Sequence, residues 1–311
     1  MTIIQLEYII AVDTHKNFAE AAQSCFVSQP ALSMQIKKIE EQLGILIFDR
    51  SKKPVLTTDI GRLIIQQARE AIRQVYRINE IIDNQKGEIG GELRIGIIPT
   101  LSPYLLPLFI TKFMKKYPSV KLVIEELLTD VIVQKLNNDL LDVGILVSPL
   151  NEKSLIEIPL FYEPFVVYAS KTHPFAKRTK INADELSFGE MWVLNEGHCF
   201  RTQTINLCSD RISETKGQLY FESGSLETLK RIVEHQNGYT LLPELATYGM
   251  ETSKSRFVKP FQDPQPVREI SLATHRSFMK QKLIEVFKEE ILANIPKALK
   301  KKTKGKVVNW R

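Results

Sequence analysis

The chain has 311 residues, 43% hydrophobic and 25% charged, a balance that fits a globular protein of two or three domains. No apolar run approaches the ~20 residues of a membrane-spanning helix, and three cysteines are too few for a disulfide framework. The net charge of +6 sits at one end: the last fifteen residues hold seven Lys or Arg and no acid, so residues 1–296 carry −1. Residues 297–311 therefore form a basic tail, expected to be a solvated, mobile end rather than a DNA contact. The N-terminus has no basic n-region and carries Glu7 and Asp13 within its apolar stretch, so no secretory signal is read and a cytoplasmic location is expected.

The first predicted elements are short. Leu6, Ile9, Ile10 and Ala11 give an amphipathic helix, followed by a second helical piece over Phe18–Cys25 and a break at Phe26-Val27-Ser28. A third helix runs from about Gln29 to Leu43. Ser28 is its N-cap, Pro30 lies in the first turn where a missing N–H costs nothing, and Gly44 ends it. Residues 45–57 read as a small β-hairpin around the basic turn Arg50-Ser51-Lys52-Lys53-Pro54. Thr57 or Thr58 then caps a long helix to about Lys86. Its apolar positions Ile64, Ala68, Ala71, Val75, Ile78 and Ile82 alternate steps of four and three, a heptad seam that needs a partner, either its own domain or, as its length and glycine-rich exit favour, a second copy in a dimer. The glycine-rich run Gly87-Glu88-Ile89-Gly90-Gly91 follows as a hinge.

Residues 92–296 change character. Strands at 93–98, 120–127 and 142–147 alternate with helices at 104–117 and 131–140, which predicts an α/β sheet with parallel strands. Further strands are expected at 165–169, 191–194, 219–222, 239–242 and 270–274, and helices at 226–235 and 279–293. This length suits two small α/β lobes with ligand space between them or at helix N-termini.

Two constellations carry chemistry. In the first, a short helix, a tight connection and a helix opening with small polar residues form a helix–turn–helix, in which Gln29, Pro30 and Ser33 would enter the major groove. Gln29 and Ser33 can hydrogen-bond to base edges, while Lys37, Lys38, Arg50, Lys52 and Lys53 can reach phosphates. Residues 1–58 hold six basic and six acidic side chains, so only the clustering is basic, and an ordinary three-helix core remains the rival. In the second, His198 and Arg201 flank Cys199 where a helix can begin, and Cys208 lies nine residues on. Cations and a helix N-terminus favour a reactive thiolate, but two buried core cysteines fit the same residues. Neither CxxC nor HxxxH spacing is present, so no metal site is read, and no cofactor. Cys25, among Ala21 and Ala22 with no adjoining cation, reads as a packed structural thiol.

Residues 1–88 resemble the winged helix–turn–helix and linker helix of LysR-type transcriptional regulators. The resemblance rests on Phe18-Ala19-Glu20-Ala21-Ala22, Ser28-Gln29-Pro30-Ala31-Leu32-Ser33, Phe48-Asp49-Arg50 and Leu56-Thr57-Thr58 with Gly61, and it continues through Leu93-Arg94-Ile95-Gly96. It implies a winged helix–turn–helix domain (1–58), a dimerisation helix (59–88) and a two-lobed, periplasmic-binding-protein-like α/β regulatory domain (92–296). Within the family, Gly197-His198-Cys199 with Cys208, then Ser225-Leu226-Glu227-Thr228-Leu229 and Thr240-Leu241-Leu242-Pro243, resembles the hydrogen-peroxide-sensing branch. That implies Cys199 as the peroxide-reacting thiol and Cys208 as its resolving partner, joined reversibly in a disulfide. Thr100, Thr129, His198 and Arg268 are implied around the peroxide and thiolate. The expected partners are double-stranded operator DNA, further copies of the chain (a homodimer or homotetramer) and hydrogen peroxide, with RNA polymerase also admitted and no membrane. Two other readings stay open: a regulator binding a small organic effector between its lobes, and a thiol peroxidase or periplasmic-type binding protein on the same lobes.

Overall fold

The computed structural model describes residues 1–86, 89–208, 223–276, 280–300 and 305–310. The chain divides into two compact units, one built from residues 1–88 and the other from most of the remainder. The hinge residues Gly87 and Glu88, the strand expected at 219–222 and part of the Lys-rich end (Lys301, Lys302, Lys304, Arg311) lie outside the described residues.

In the N-terminal unit, helices α1 (Ile3–His15), α2 (Phe18–Ser24) and α3 (Gln29–Leu43) precede a hairpin of β1 (Phe48–Asp49) and β2 (Leu56–Thr57) and the long helix α4 (Asp59–Lys86). Local chemistry sets these boundaries. Thr2 and Gln5 form a capping box at α1, Asn17 caps α2, and the Ser28 hydroxyl accepts from Ala31 N. Gly44 ends α3 in the left-handed region, at φ 70°. The Thr58 hydroxyl accepts from Gly61 N and so starts α4. At Gly61 a β-carbon would stand 2.3 Å from the Ile47 carbonyl oxygen, so only glycine lets the helix approach the hairpin this closely. Leu6, Ile9, Val12, Ala21, Leu32, Ile36, Ile39 and Phe48 fill the core, and Ile65, Ala68 and Ile72 of α4 join them.

The seam expected on α4 divides between two faces. Ala68 packs inward with Ile65 and Ile72, where Arg69 also turns in to meet Asp13 at 3.0 Å. Ile60, Leu63, Ala71 and Ile78 are exposed, with Ile64 and Val75 half-buried beside them. Ile82 lies where side chains are not described.

The second unit runs β3 (Gly91–Ile97), α5 (Ser102–Lys116), β4 (Val120–Glu126), α6 (Thr129–Asn137), β5 (Val143–Ser148) and β6 (Leu155–Ala169). It continues with α7 (Cys199–Leu207), α8 (Leu226–His235), β7 (Tyr239–Pro243), α9 (Thr252–Ser255), β8 (Val258–Pro260) and β9 (Pro266–His275), and ends in α10 (Gln281–Asn294), α11 (Lys297–Lys300) and β10 (Lys306–Val307). The main sheet path is β4-β3-β5-β9-β6-β7.

The three strands of the βαβ run, β4, β3 and β5, are parallel as expected. The sheet then continues with the opposite sense: β9 lies antiparallel to both β5 and β6, so the whole is mixed. The strands expected at 165–169 and 270–274 are parts of two longer ones, β6 and β9, that pair from Leu155↔His275 to Pro164↔Val267. Pro159 and Pro164 interrupt the sequence pattern of β6, and the register shifts between Pro159 and Phe161, so its first half is hard to read as a strand. The strand expected at 191–194 is a single bridge, Met191↔Tyr239.

The basic tail is also corrected. Residues 306–307 pair in parallel with β9 at 266–267, and Val308 N donates to Val267 O at 2.9 Å. Leu299 and Val308 are buried. On α7, Gln203 Nε2 donates to Val308 O at 2.7 Å and Asn206 Nδ2 to Asn309 O at 2.9 Å. The described part of this end is docked on the sheet and on the helix that begins at Cys199. Lysines dominate its composition, and the few apolar residues among them do the packing.

Among the described residues, no helix is long and apolar enough to cross a membrane, and no cluster of His, Cys, Asp and Glu is arranged to hold a metal ion.

Candidate redox site and nucleic-acid interface

Cys199 is the first residue of α7, and His198 is its N-cap. Gly197, at φ 89°, turns the chain into the helix, and a β-carbon there would come 3.1 Å from Leu128, the residue before α6. Thr129 opens α6, Thr100 follows β3, and Arg268 lies on β9. Arg268 Nη1 donates to Thr100 Oγ1 at 2.9 Å and Nη2 to Thr100 O at 3.1 Å. Its guanidinium carbon sits 5.2 Å from the ring centre of Phe200, the residue after Cys199. Phe200 in turn stacks on Phe165 with centroids 5.2 Å apart, which seats α7 on β6.

The electrostatics differ from those expected. Burial pushes the Cys199 thiol up from its ordinary range, while the Arg268 charge, the Thr129 hydroxyl and the N–H groups of Phe200 and Cys199 pull the other way without reversing it. Burial likewise lowers the basicity of His198, against the opposing charge of Glu126, so His198 is a neutral neighbour rather than a cation. Arg201 Nη1 donates to Leu194 O at 2.7 Å. The resting state is a buried thiol.

Two hydroxyl groups lie among these residues. Thr100 Oγ1 accepts from Arg268, which leaves its own O–H proton to donate. Thr129 Oγ1 is buried and faces the Cys199 thiol, whose acidity it raises.

Cys208 is the C-cap of α7, half-buried, its Sγ 3.4 Å from Thr204 O. Neither thiol is in a disulfide. Nine residues of helix rise about 13.5 Å at ~1.5 Å each, and a disulfide needs α-carbons within roughly 7 Å. The two sulfurs cannot bond while α7 stays wound. Cys25 lies at the end of α2, half-buried against the N-terminal core, and burial raises its thiol as well.

On the N-terminal unit, Gln29 and Pro30 stand exposed at the start of α3, with Lys37 and Lys38 exposed further along. Lys37 pairs loosely with Glu41, at 3.6 Å in full solvent. Lys52 and Lys53 are exposed on the hairpin turn, which Asp49 shapes by accepting from Ser51 N and Oγ. Arg50 and Ser33 are already engaged. Arg50 Nη1 donates to Ser33 Oγ at 3.1 Å, Nη2 meets Glu40 at 2.8 Å, and the guanidinium lies over the Phe18 ring. Glu40 is buried and also accepts from Ile47 N and Phe48 N. Arg50 thus clamps the hairpin to α3, a structural duty that sequence alone did not reveal. Met34, 64% exposed among these residues, is an apolar member of the same surface.

The family of bacterial regulatory helix-turn-helix proteins, lysR family, matches residues 3–62, and the LysR substrate binding domain matches residues 86–296. The chain belongs to the LysR family. It is therefore a DNA-binding transcriptional regulator, and its relatives are regulators rather than enzymes, which sets the thiol-peroxidase reading aside. It is 37% identical to a hydrogen peroxide-inducible genes activator of Haemophilus influenzae over 88% of this chain and 90% of that one. It is 36% identical to the DNA-binding transcriptional dual regulator OxyR of Escherichia coli, over 88% of each chain. Among solved structures, a full-length OxyR variant from Pseudomonas aeruginosa superposes with a TM-score of 0.80 at 34% identity, covering 95% of this LysR-family chain and 99% of that one. A hydrogen-peroxide-bound OxyR mutant from Corynebacterium glutamicum gives 0.61 at 26% identity, covering 94% of each chain.

Proposed function

We propose that this LysR-family regulator senses hydrogen peroxide through Cys199 and Cys208 and switches transcription of oxidative-stress genes from operator DNA in the cytoplasm. The observation that carries the reading is the buried thiol at the start of α7, beside the buried Thr129 hydroxyl and the Thr100–Arg268 pair, with a second thiol at the other end of the same helix. Thr100 and Thr129 would hydrogen-bond peroxide, and Arg268 would stabilise negative charge as it develops on sulfur and oxygen. Cys199 Sγ attacks one peroxide oxygen as the O–O bond breaks; the other oxygen takes the thiol proton and leaves as water, and sulfenic acid remains. Cys208 Sγ then attacks the Cys199 sulfur and expels a second water, forming the disulfide. α7 must unwind for this step, and the lobes repack around it.

In the DNA-binding role, Gln29, Pro30 and Ser33 present the start of α3 to the major groove, and Lys37, Lys38, Lys52 and Lys53 contact phosphates. Arg50 contributes by fixing the hairpin rather than as a bare cation. The exposed row Ile60, Leu63, Ala71 and Ile78 suits a second copy of α4 in a homodimer, and dimers of dimers would carry four heads. As an activator the assembly would also touch RNA polymerase. Residues 1–58, 59–88 and 92–296 would act as head, dimer helix and sensor.

Thiol mapping by mass spectrometry after one equivalent of peroxide tests the sensor reading. A Cys199–Cys208 disulfide is expected. Unmodified thiols would turn the reading to a small organic effector held between the lobes.

A further inference from the structure

Arg268 has a partner that neither the cysteine motif nor the sequence pattern announces. Glu163 stands directly opposite it, residue against residue, where β6 pairs with β9. Glu163 Oε2 lies 2.9 Å from Arg268 Nε and 2.8 Å from Nη2, and both side chains have no solvent exposure. The other carboxylate oxygen accepts from Leu245 N at 2.9 Å, in the turn after β7. The carboxylate is thus fixed from the turn after β7, and it fixes the guanidinium that bonds Thr100.

An unpartnered guanidinium beside Cys199 would present a full positive charge in a water-excluded pocket. Paired with Glu163, it presents a dipole. Resting on the sensor reading above, we infer that Glu163 is a positioning residue that restrains the reactivity of Cys199, by anchoring Arg268 against Thr100 and offsetting its charge. Charge balance in the pocket then sets how much peroxide the sensor requires.

The other groups around this centre do not take over that role. His198, the N-cap of α7, is kept neutral by burial, and Glu126 at the end of β4 acts on it. Tyr104 on α5 is held protonated by burial and by its hydrogen bond to Glu227, with Arg268 and Glu163 acting on it in opposite senses. Glu244 and Tyr248, beyond β7, feel the Glu163 charge from the far side, and burial raises both. Arg268 is the cation acting on the Cys199 thiol, and Glu163 is the acid that touches it.

The test uses the full chain with Cys25 and Cys208 replaced by Ser, so that the ultraviolet absorbance of the thiolate reports Cys199 alone against pH. Glu163→Gln should lower the Cys199 midpoint by about one unit. Because nucleophilicity falls as the thiol becomes more acidic, the peroxide rate below both midpoints should rise only about threefold to fourfold. Glu163→Asp, one methylene shorter and still charged, should shift the midpoint the same way by less, and decides the matter if Glu163→Gln does not fold. Adding Arg268→Ala should erase the effect, since Glu163 acts through Arg268. A midpoint unmoved or raised in the folded variants, or an effect that survives Arg268→Ala, would overturn the inference. A wild-type peroxide rate no faster than that of a free thiol would instead remove the sensor reading, while the absorbance titration still judges Glu163.

Discussion

The two regions that carry function are each organised around an arginine paired with a buried glutamate. In the head, Arg50 meets Glu40; in the sensor, Arg268 meets Glu163. The difference is solvent. Arg50 is 37% exposed, so water screens its charge and the pair serves mainly to hold the hairpin. Arg268 and Glu163 have no exposure, so their charges act on whatever shares the pocket, and Cys199 shares it. One ion-pair type is a clamp where water reaches it and a tuner of reactivity where water does not.

Predictions that break or sharpen this contrast run from the largest effect downward. Cys199→Ser should abolish peroxide-dependent disulfide formation altogether, because a hydroxyl is a poor nucleophile near neutral pH. Cys208→Ser should leave Cys199 reactive but let sulfenic or over-oxidised forms accumulate, visible by mass spectrometry. Glu40→Ala removes the acceptor of Ile47 N, Phe48 N and Arg50 at once; urea melts of the N-terminal transition should show a loss of about 3–5 kcal/mol. A loss under about 1 kcal/mol would show that water replaces these bonds, and the clamp would not be structural.

Smaller effects concern the edges of each region. Removing residues 305–311 frees α7 from its bonds to Val308 and Asn309, so disulfide formation after peroxide should quicken severalfold in quenched-flow assays. An unchanged rate would mean that the docked end does not restrain the helix. Lys52→Ala with Lys53→Ala should weaken all DNA sites alike and reduce the salt slope of binding by about two, at ~0.9 per phosphate contact. Loss confined to one operator would make those lysines base readers instead. The pH dependence has a definite sign. Because burial holds the Cys199 thiol above its ordinary range, the oxidation rate should climb through neutral pH with no plateau below the range of a free thiol. Asp13 works in the opposite sense. Burial raises its carboxyl, but Lys16, Thr57 and Arg69 more than compensate and hold it below its ordinary value. Its contribution to the head's stability is therefore present at neutral pH and lost as pH falls through that lowered value.

Much of the head was legible in the sequence because its signals are local: Ser28, Pro30 and Gly44 mark the ends of α3 within the residues that form it. The Cys199–Cys208 spacing and the start of α7 were legible for the same reason. What stayed hidden depends on distant pairing. Glu163 and Arg268 are 105 residues apart, and only the antiparallel union of β6 and β9 makes them partners. The βαβ alternation revealed the parallel trio β4, β3 and β5, but continuous apolar runs elsewhere reveal strands without their direction, so the antiparallel continuation through β9 and β6 stayed hidden. Ala68 was assigned to the outer seam because heptad spacing cannot tell which of two apolar faces meets its own domain. Burial, a quantity that flanking residues do not report, raises the Cys199 thiol, while Arg268 acts on it in the expected, lowering sense.

Oxidation of Cys199 is proposed to reach Cys208 by unwinding α7. Hydrogen exchange across residues 199–207, followed before and after one equivalent of peroxide on the full chain, tests it most directly. Protected amides are expected in the reduced protein, with that protection lost in step with appearance of the Cys199–Cys208 disulfide. A disulfide that forms while α7 keeps its protection would contradict it.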